Sequence, residues 1–247
     1  MQILLGKTAP NIVGYTTKTV NGGSFVLTPN FLDVGGTGTS IQSIKLLDPN
    51  DEGLRAPGED NIQLLNEDSV AFRMFQWFDE DNSPTGEEGW FDSEDFGQLS
   101  DFVFTKGMSA VVYTVNPGVA VSLAGEVVTA GIDQILVGGS VCFGNITHAN
   151  MWIGNIKLLD PNEEGIRAPG EDNIQLLNED SVASRMFQWF DEDNSPTGEE
   201  GWFDSEDFGQ LTDYEFAPGE GFVLYTVNAG VQLKMPGALD TLEAFEE

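Results

Sequence analysis

The chain contains 247 residues with a mass of 26.8 kDa, enough for one large domain or two ordinary ones. Hydrophobic residues make up 40% of the chain and aromatic residues 11%, so it is expected to fold rather than remain disordered. With 41 Asp and Glu against 10 Lys and Arg, the formal charge is −31, which repels a phosphate backbone and excludes nucleic-acid binding.

A single cysteine, Cys142, and a single histidine, His148, narrow the chemistry further. One cysteine forms neither an internal disulfide framework nor a thiolate metal cluster. One histidine leaves little scope for histidine-dependent catalysis, and no nucleophile elbow or phosphate-binding loop is present. The sequence therefore predicts a protein that is not an enzyme.

The sequence contains no run of 18 apolar residues, so no membrane span is expected. Its first seven residues lack a basic region and do not form a signal peptide. The chain is therefore either cytoplasmic or the mature form of a secreted protein whose leader has been removed.

Strand-forming segments begin near the start of the chain. Residues 13–20 and 24–28 flank the sequence Asn-Gly-Gly at 21–23, which predicts a first hairpin. Residues 62–65 and 69–78 flank Asn-Glu-Asp at 66–68 and predict a second. Both faces of segment 69–78 are largely apolar, as expected of a strand between two layers.

Further strands are predicted towards the end of the chain. Residues 110–115 and 119–123 are expected to pair across Asn-Pro-Gly at 116–118, and short strands follow at 127–129, 134–137 and 140–143. Helical periodicity is weak and confined to residues 237–247. The sequence therefore predicts an all-β fold.

A near-exact internal repeat divides the chain. Residues 44–100 align with residues 156–212 without a gap, and 53 of these 57 positions are identical. Each copy holds 15 acids and three bases, so the two copies supply −24 of the total charge of −31. The repeat predicts two tandem sandwich- or barrel-like units of about 112 residues, at 8–126 and 127–239.

The acidic loops of the two repeats are candidate calcium sites. Ca²⁺ prefers six to eight oxygen ligands, and alternating acids in a turning loop can supply them. The loop at 79–92 is not an EF-hand, because Trp90 occupies the twelfth position, and a solvated acidic loop is the alternative interpretation. The candidate ligands are Asp79, Asp81, Ser83, Glu87, Asp92, Asp191, Asp193, Ser195, Glu199 and Asp204.

Tryptophans beside carboxylates suggest a carbohydrate-binding face as an alternative function. Stacking rings with neighbouring hydrogen-bonding groups are what sugar recognition needs, although aromatic residues on strands usually belong to the core. The candidates are Trp77, Trp90, Trp189 and Trp202.

The pattern of glycines and aromatic residues resembles a known type of repeat. Gly14 and Gly23 open the first unit, Gly89-Trp90 lies within it, and Gly125-Glu126 closes it and leads into the next strand. This resembles a β-rich tandem repeat of secreted and surface proteins of Gram-negative bacteria. The second unit departs from it, with Pro236-Gly237 at the closing position. The resemblance implies an extracellular or cell-surface location, a structural role and no catalytic residues.

An all-β repeat of this type can assemble by lending a terminal strand to the open edge of the next subunit. Such head-to-tail contacts do not close and therefore build filaments. The candidate assembly residues are Ile3, Leu4, Leu5, Val231 and Leu233. The sequence thus predicts a self-assembling structural protein, with calcium as a possible ligand and a glycan as a possible partner.

Overall fold

The computed structural model describes residues 13–27, 29, 31–32, 38–49, 52–65, 71–147, 149–162, 164–177 and 183–237. Apart from two short 3-10 turns, at Ile41–Ser43 and Ile153–Asn155, the regular structure of these residues consists of β-strands. The predicted all-β class is therefore confirmed. A search of the described residues for a helix long and apolar enough to cross a membrane finds none.

The strands fall into a first half (β1–β11) and a second half (β12–β21). Those of the first half are β1 Val13–Thr19, β2 Gly23–Leu27, β3 Phe31–Leu32, β4 Thr39–Ser40, β5 Lys45–Leu47, β6 Asn61–Leu65, β7 Ala71–Phe78, β8 Gly89–Asp92, β9 Val103–Phe104, β10 Ala110–Thr114 and β11 Ala120–Val127. Those of the second half are β12 Ile132–Ile135, β13 Gly139–Gly144, β14 Met151–Trp152, β15 Lys157–Leu159, β16 Asn173–Leu177, β17 Ala183–Phe190, β18 Gly201–Asp204, β19 Glu215–Phe216, β20 Gly221–Thr226 and β21 Gln232–Met235.

Each half contains a five-stranded antiparallel sheet with the same strand order. The order is β2-β10-β6-β7-β8 in the first half and β13-β20-β16-β17-β18 in the second. A smaller sheet accompanies each: β1-β11-β3 with β5 also on β11, and β12-β21-β15. A register shift recurs at the same place, after Leu64 and after Leu176. The repeat in the sequence is thus also a repeat in strand pairing.

A hydrophobic core lies between the two sheets of each half. In the first half, Leu46 of β5 belongs to the same buried cluster as Phe75 of β7. In the second half, Leu158 of β15 and Phe187 of β17 do the same. Alternate residues of each strand face this core, as the two-residue period of a strand requires.

Of the predicted hairpins, only the second is correct. Strands β6 and β7 pair, with Ile62 opposite Phe75. The first prediction is wrong, because β1 pairs with β11 whereas β2 pairs with β10. For the same reason the segments on either side of Asn116-Pro117-Gly118 do not pair with each other. Both turns carry the chain from one sheet to the other, and a Cβ on Gly22 (φ +82°) would lie 3.2 Å from Pro117 N.

The two five-stranded sheets contact each other through the faces turned away from their cores. A small buried cluster joins Val26 and Val111 of the first half to Cys142 and Val223 of the second. The Ser109 N–H donates to the Cys142 carbonyl at 3.3 Å across this contact. The predicted helical segment at 237–247 lies outside the described residues, apart from its first residue.

Candidate functional site

The acidic loop after β7 is held by its own hydrogen bonds. Asp79 Oδ1 accepts from the backbone and side-chain N–H groups of Asn82 at 2.9 and 2.8 Å. Ser83 Oγ accepts from the Glu87 N–H at 3.1 Å. Asp81 points into solvent. The same arrangement recurs after β17, in Asp191, Asp193, Asn194, Ser195 and Glu199.

The last predicted calcium ligand of each loop is engaged elsewhere. Asp92 Oδ2 lies 2.7 Å from Arg73 Nη2, and Asp204 Oδ2 lies 2.6 Å from Arg185 Nη2. Within the described parts of the chain, no three His, Cys, Asp or Glu side chains are close enough to hold a metal ion. Calcium binding by these loops stays a prediction.

The four tryptophans proposed for sugar binding are core residues. Trp77, Trp90, Trp189 and Trp202 are each at most 2% exposed. The Trp90 Nε1 donates to the Ile44 carbonyl at 2.7 Å, which fixes the ring inside its half. These rings therefore lie below the surface, although Trp189 and Trp202 also line a cavity of the second half.

The predicted strand donor near the end of the chain is also buried. Val231 and Leu233 are 0% exposed, and β21 pairs with β12 on one side and β15 on the other. A strand paired on both sides is not available to another subunit, so donation of this segment is excluded by its place in the sheet. Ile3, Leu4 and Leu5 lie outside the described residues.

β1 and β12 are two of the strands that lie at the end of a sheet in the described structure. Within the described residues, β1 pairs only with β11 and β12 pairs only with β21. Lys18 and Thr19 of β1 are exposed, as are Asp133 and Ile135 of β12. The Leu136 N–H donates back to Val231, so in an antiparallel ladder the alternate residue Ile135 directs its N–H outward.

A buried carboxylate occupies the same place in each half. Asp60 is 0% exposed and accepts backbone N–H groups from Ala56 at 2.8 Å and from Val115 at 2.9 Å. Desolvation by burial raises its pKa, although these two N–H groups act in the opposite direction. Asp172 has equivalent bonds and a pKa raised by the same cause. Both oxygens of each carboxylate fasten a loop to the sheet, which is a structural task.

The clearest difference between the halves is a cavity beside β18. It has a volume of about 350 Å³, and its wall includes Trp152, Gly154, Trp189, Trp202 and Leu211. In the first half, Gln42 occupies the position of Gly154 and Ser40 that of Trp152. The rest of this wall is nearly the same in both halves, because most of it belongs to the repeated block.

The Gln42 side chain fills the equivalent space in the first half. Its Nε2 donates to the carbonyls of Trp90 at 2.8 Å and Ser100 at 3.0 Å, and its Oε1 accepts from the Trp90 N–H at 3.1 Å. It passes so close to Gly89 that a Cβ there would lie 2.4 Å from the amide oxygen. In the second half Gly154 has no side chain to extend towards Trp202, and the Trp152 ring packs against it instead.

Trp152 stands at the mouth of the cavity. Its side chain packs directly on Gly154, where a Cβ would lie 2.4 Å from the ring, yet the residue is 44% exposed. Its Nε1 donates to the Thr212 carbonyl at 3.3 Å. It is the exposed tryptophan that the sequence analysis missed. The signal was present just upstream of the repeated block, where Ser-Ile-Gln-Ser at 40–43 becomes Trp-Ile-Gly-Asn at 152–155.

Comparison of the chain with protein-family models, with curated proteins and with solved structures found no match.

Proposed function

We propose that this chain is a non-enzymatic structural protein that self-associates head to tail at a cell surface, through the free edges of β1 and β12. The observation that carries the proposal is the position of β12 at the end of its sheet, where it pairs only with β21 in the described structure, as β1 pairs only with β11. A free strand edge presents unpaired backbone groups that another strand can extend. The surface location rests on the resemblance to tandem repeats of secreted proteins.

Charge favours pairing of β1 with β12 over pairing of either edge with itself. Lys18 is one of only 10 basic residues in the chain and lies on β1, whereas Asp133 lies on β12, where its side chain is 60% exposed and 3.8 Å from Lys234 Nζ. Opposite charges across an interface favour the pairing in which they meet. Because the two edges are different surfaces, their contact is head-to-tail and does not close on itself.

The overall negative charge opposes association of two copies, and a bound cation would reduce that repulsion. Two copies that each carry −31 repel one another unless the charge is neutralised or screened. We therefore include calcium in the proposal as an ion drawn to the acidic loops of the two repeated blocks, which together supply −24 of the charge. The buried carboxylates are committed to backbone N–H groups, which agrees with a role without catalysis.

The proposal is tested by light scattering of the purified chain, first in EDTA and then in millimolar Ca²⁺. We expect polymers that grow with Ca²⁺. Ile135→Pro removes an outward N–H from the β12 edge and should abolish growth, whereas Ile135→Thr keeps that N–H and should not. A monomer of 26.8 kDa under both conditions would overturn the proposal.

Charge reversal tests which edges meet. Lys18→Glu should weaken assembly, and the pair Lys18→Glu with Asp133→Lys should restore it. Lys45→Glu is the matched control, because Lys45 is exposed and lies on neither edge. Equal loss of assembly with Lys45→Glu would show that net charge rather than edge pairing governs association.

A further inference from the structure

In the first half, the space beside Trp90 is occupied by a side chain of the protein itself, that of Gln42. A carboxamide supplies one acceptor and two donor hydrogens, and Gln42 uses both functions, towards the Trp90 N–H and towards the carbonyls of Trp90 and Ser100. The backbone around this space is thus arranged to bind an amide group.

The backbone of the second half keeps the same arrangement without that side chain. The Trp189 N–H donates to the Asp172 carbonyl, and the Trp189 carbonyl accepts from the Gly170 N–H, both on the side of β17 away from β18. Trp202 lies opposite Trp189 on β18, so its N–H and C=O point away from β17. Among the described residues, no side chain accepts from the Trp202 N–H, as Gln42 does from that of Trp90. The Thr212 carbonyl receives only the long 3.3 Å bond from Trp152.

The remainder of the cavity suits the apolar body of such a ligand. The exposed Trp152 ring lies at the mouth, and Leu158 and Leu211 contribute apolar wall. Glu200 stands at the rim, held at 2.9 Å by Arg167, and offers acceptor oxygens. A volume of about 350 Å³ lies near the lower limit of ligand cavities, about 300 Å³, so the site fits one small ring or one side chain.

We infer that the cavity beside Trp152 is a binding site for a small ligand that carries an amide group. The amide takes the place that the Gln42 carboxamide occupies in the first half, and the rest of the ligand packs against Trp152. Two sources have this chemistry, an acetamido sugar and a glutamine side chain of a peptide. The site is single in each chain, because Gln42 fills its counterpart. It does not depend on the proposed self-assembly.

Binding can be followed by NMR of the indole N–H groups, because the chain has only five tryptophans. The probes are N-acetylglucosamine against glucose, and the tripeptide Gly-Gln-Gly against Gly-Ala-Gly. We expect the Trp152 and Trp202 signals to shift with an amide-bearing probe and the Trp90 signal to stay in place. Preference within the first pair identifies a sugar amide, and preference within the second identifies a side-chain amide. No preference in either pair overturns the inference.

The chain supplies its own matched variants. Trp152→Ser with Gly154→Gln recreates the first-half sequence and should fill the cavity, weakening binding at least about tenfold. Ser40→Trp with Gln42→Gly should empty the first-half space, so that the Trp90 signal now responds. Glu192→Gln is the control, because Glu192 is exposed and is not part of the cavity wall, and it should leave affinity unchanged. Binding that survives the filled cavity would overturn the assignment of this site.

Discussion

At the scale of single residues, Asp60 and Asp172 illustrate how an acidic chain uses buried carboxylates. Each lies in the repeated block, fully buried, with its two oxygens bonded to N–H groups from two different parts of the chain. A carboxylate can accept at both oxygens, whereas an amide has only one accepting atom. The identity of this residue therefore decides whether the loop at 54–60 remains attached to the turn after β10.

Asp60→Asn should lower the free energy of unfolding of the first half by about 1–3 kcal/mol, because an NH₂ group would face a buried N–H donor. Urea unfolding followed by tryptophan fluorescence measures the change. Glu59→Gln is the control, since Glu59 is an exposed neighbour whose loss should have little effect. An Asp60→Asn variant as stable as the parent would show that the two N–H bonds contribute nothing net.

Residues just outside the repeated block matter as much as those within it. Gln42 and Gly154 precede nearly identical sequences, yet one fills its cavity and the other leaves it open. The two halves have the same side chains in the identical region, so that region alone does not reveal this difference. The informative positions were those at which two otherwise equal copies diverge.

At the scale of strands, local pattern predicted where strands occur better than which strands pair. The pairing of β6 with β7 was predicted correctly, from the alternation of residues in both strands and the three residues expected to form their turn. The glycine turn after β1 was interpreted as a hairpin but leads to the opposite sheet, since β1 lies against β11, about 100 residues along the chain. Whether a turn closes a hairpin or crosses a core depends on distant partners that a local motif does not contain.

The position of β21 leads to a prediction about the end of the chain. Leu233→Pro should destabilise the second half, because proline in a strand paired on both sides removes a ladder hydrogen bond and leaves a buried carbonyl unpaired, at a cost of about 1–3 kcal/mol. Circular dichroism and limited proteolysis would report the loss. Ile135→Pro, at the free edge of the same sheet, should keep the fold, and equal damage by both would contradict the assigned pairing.

At the scale of the whole molecule, the excess of acids and the buried carboxyls change the free energy of unfolding with pH in the same direction. The pKa values of Asp60 and Asp172 are raised by desolvation, so the folded state binds protons at these groups before the unfolded state does. Lower pH also reduces the repulsion within a chain of charge −31. Both effects make unfolding harder as the solution becomes more acidic.

We therefore expect the free energy of unfolding to increase as the pH falls towards the raised pKa values of Asp60 and Asp172, the reverse of common acid denaturation. Asp160 acts in the opposite sense: desolvation tends to raise its pKa, but N–H groups including those of Ile166 and Glu164 lower it below 3.8, so its contribution is lost only under more acidic conditions. The midpoint of urea unfolding is measured at pH 7, 6 and 5 in high salt. The salt screens the general repulsion, so the remaining change reports the contribution of the buried carboxyls. A midpoint that falls with pH would refute this.

The contact between the halves is small, and Cys142 reports on it. The thiol is 6% exposed, lies between Val26, Val111 and Val223, and has a pKa raised to about 12 by burial. It should react with thiol reagents only when the halves separate.

Val111→Asp should increase the labelling rate of Cys142 at least about tenfold, since a buried unpaired charge favours separation of the halves. Val103→Asp is the control, because Val103 is 41% exposed and far less desolvated. Labelling is measured by absorbance at neutral pH. Unchanged labelling in Val111→Asp would mean that the halves do not open at this contact.

The sequence by itself determined the fold class, the duplication and the concentration of charge, because alternation, identity and composition are local properties of the chain. It also favoured a core position for Trp77 and Trp90, with sugar contact as the alternative. Only the tertiary structure shows that these rings are buried, that β21 is paired on both sides and that Trp152 is exposed over Gly154. Burial and strand partners arise from residues far apart in the chain, and a cavity exists only where packed elements leave space.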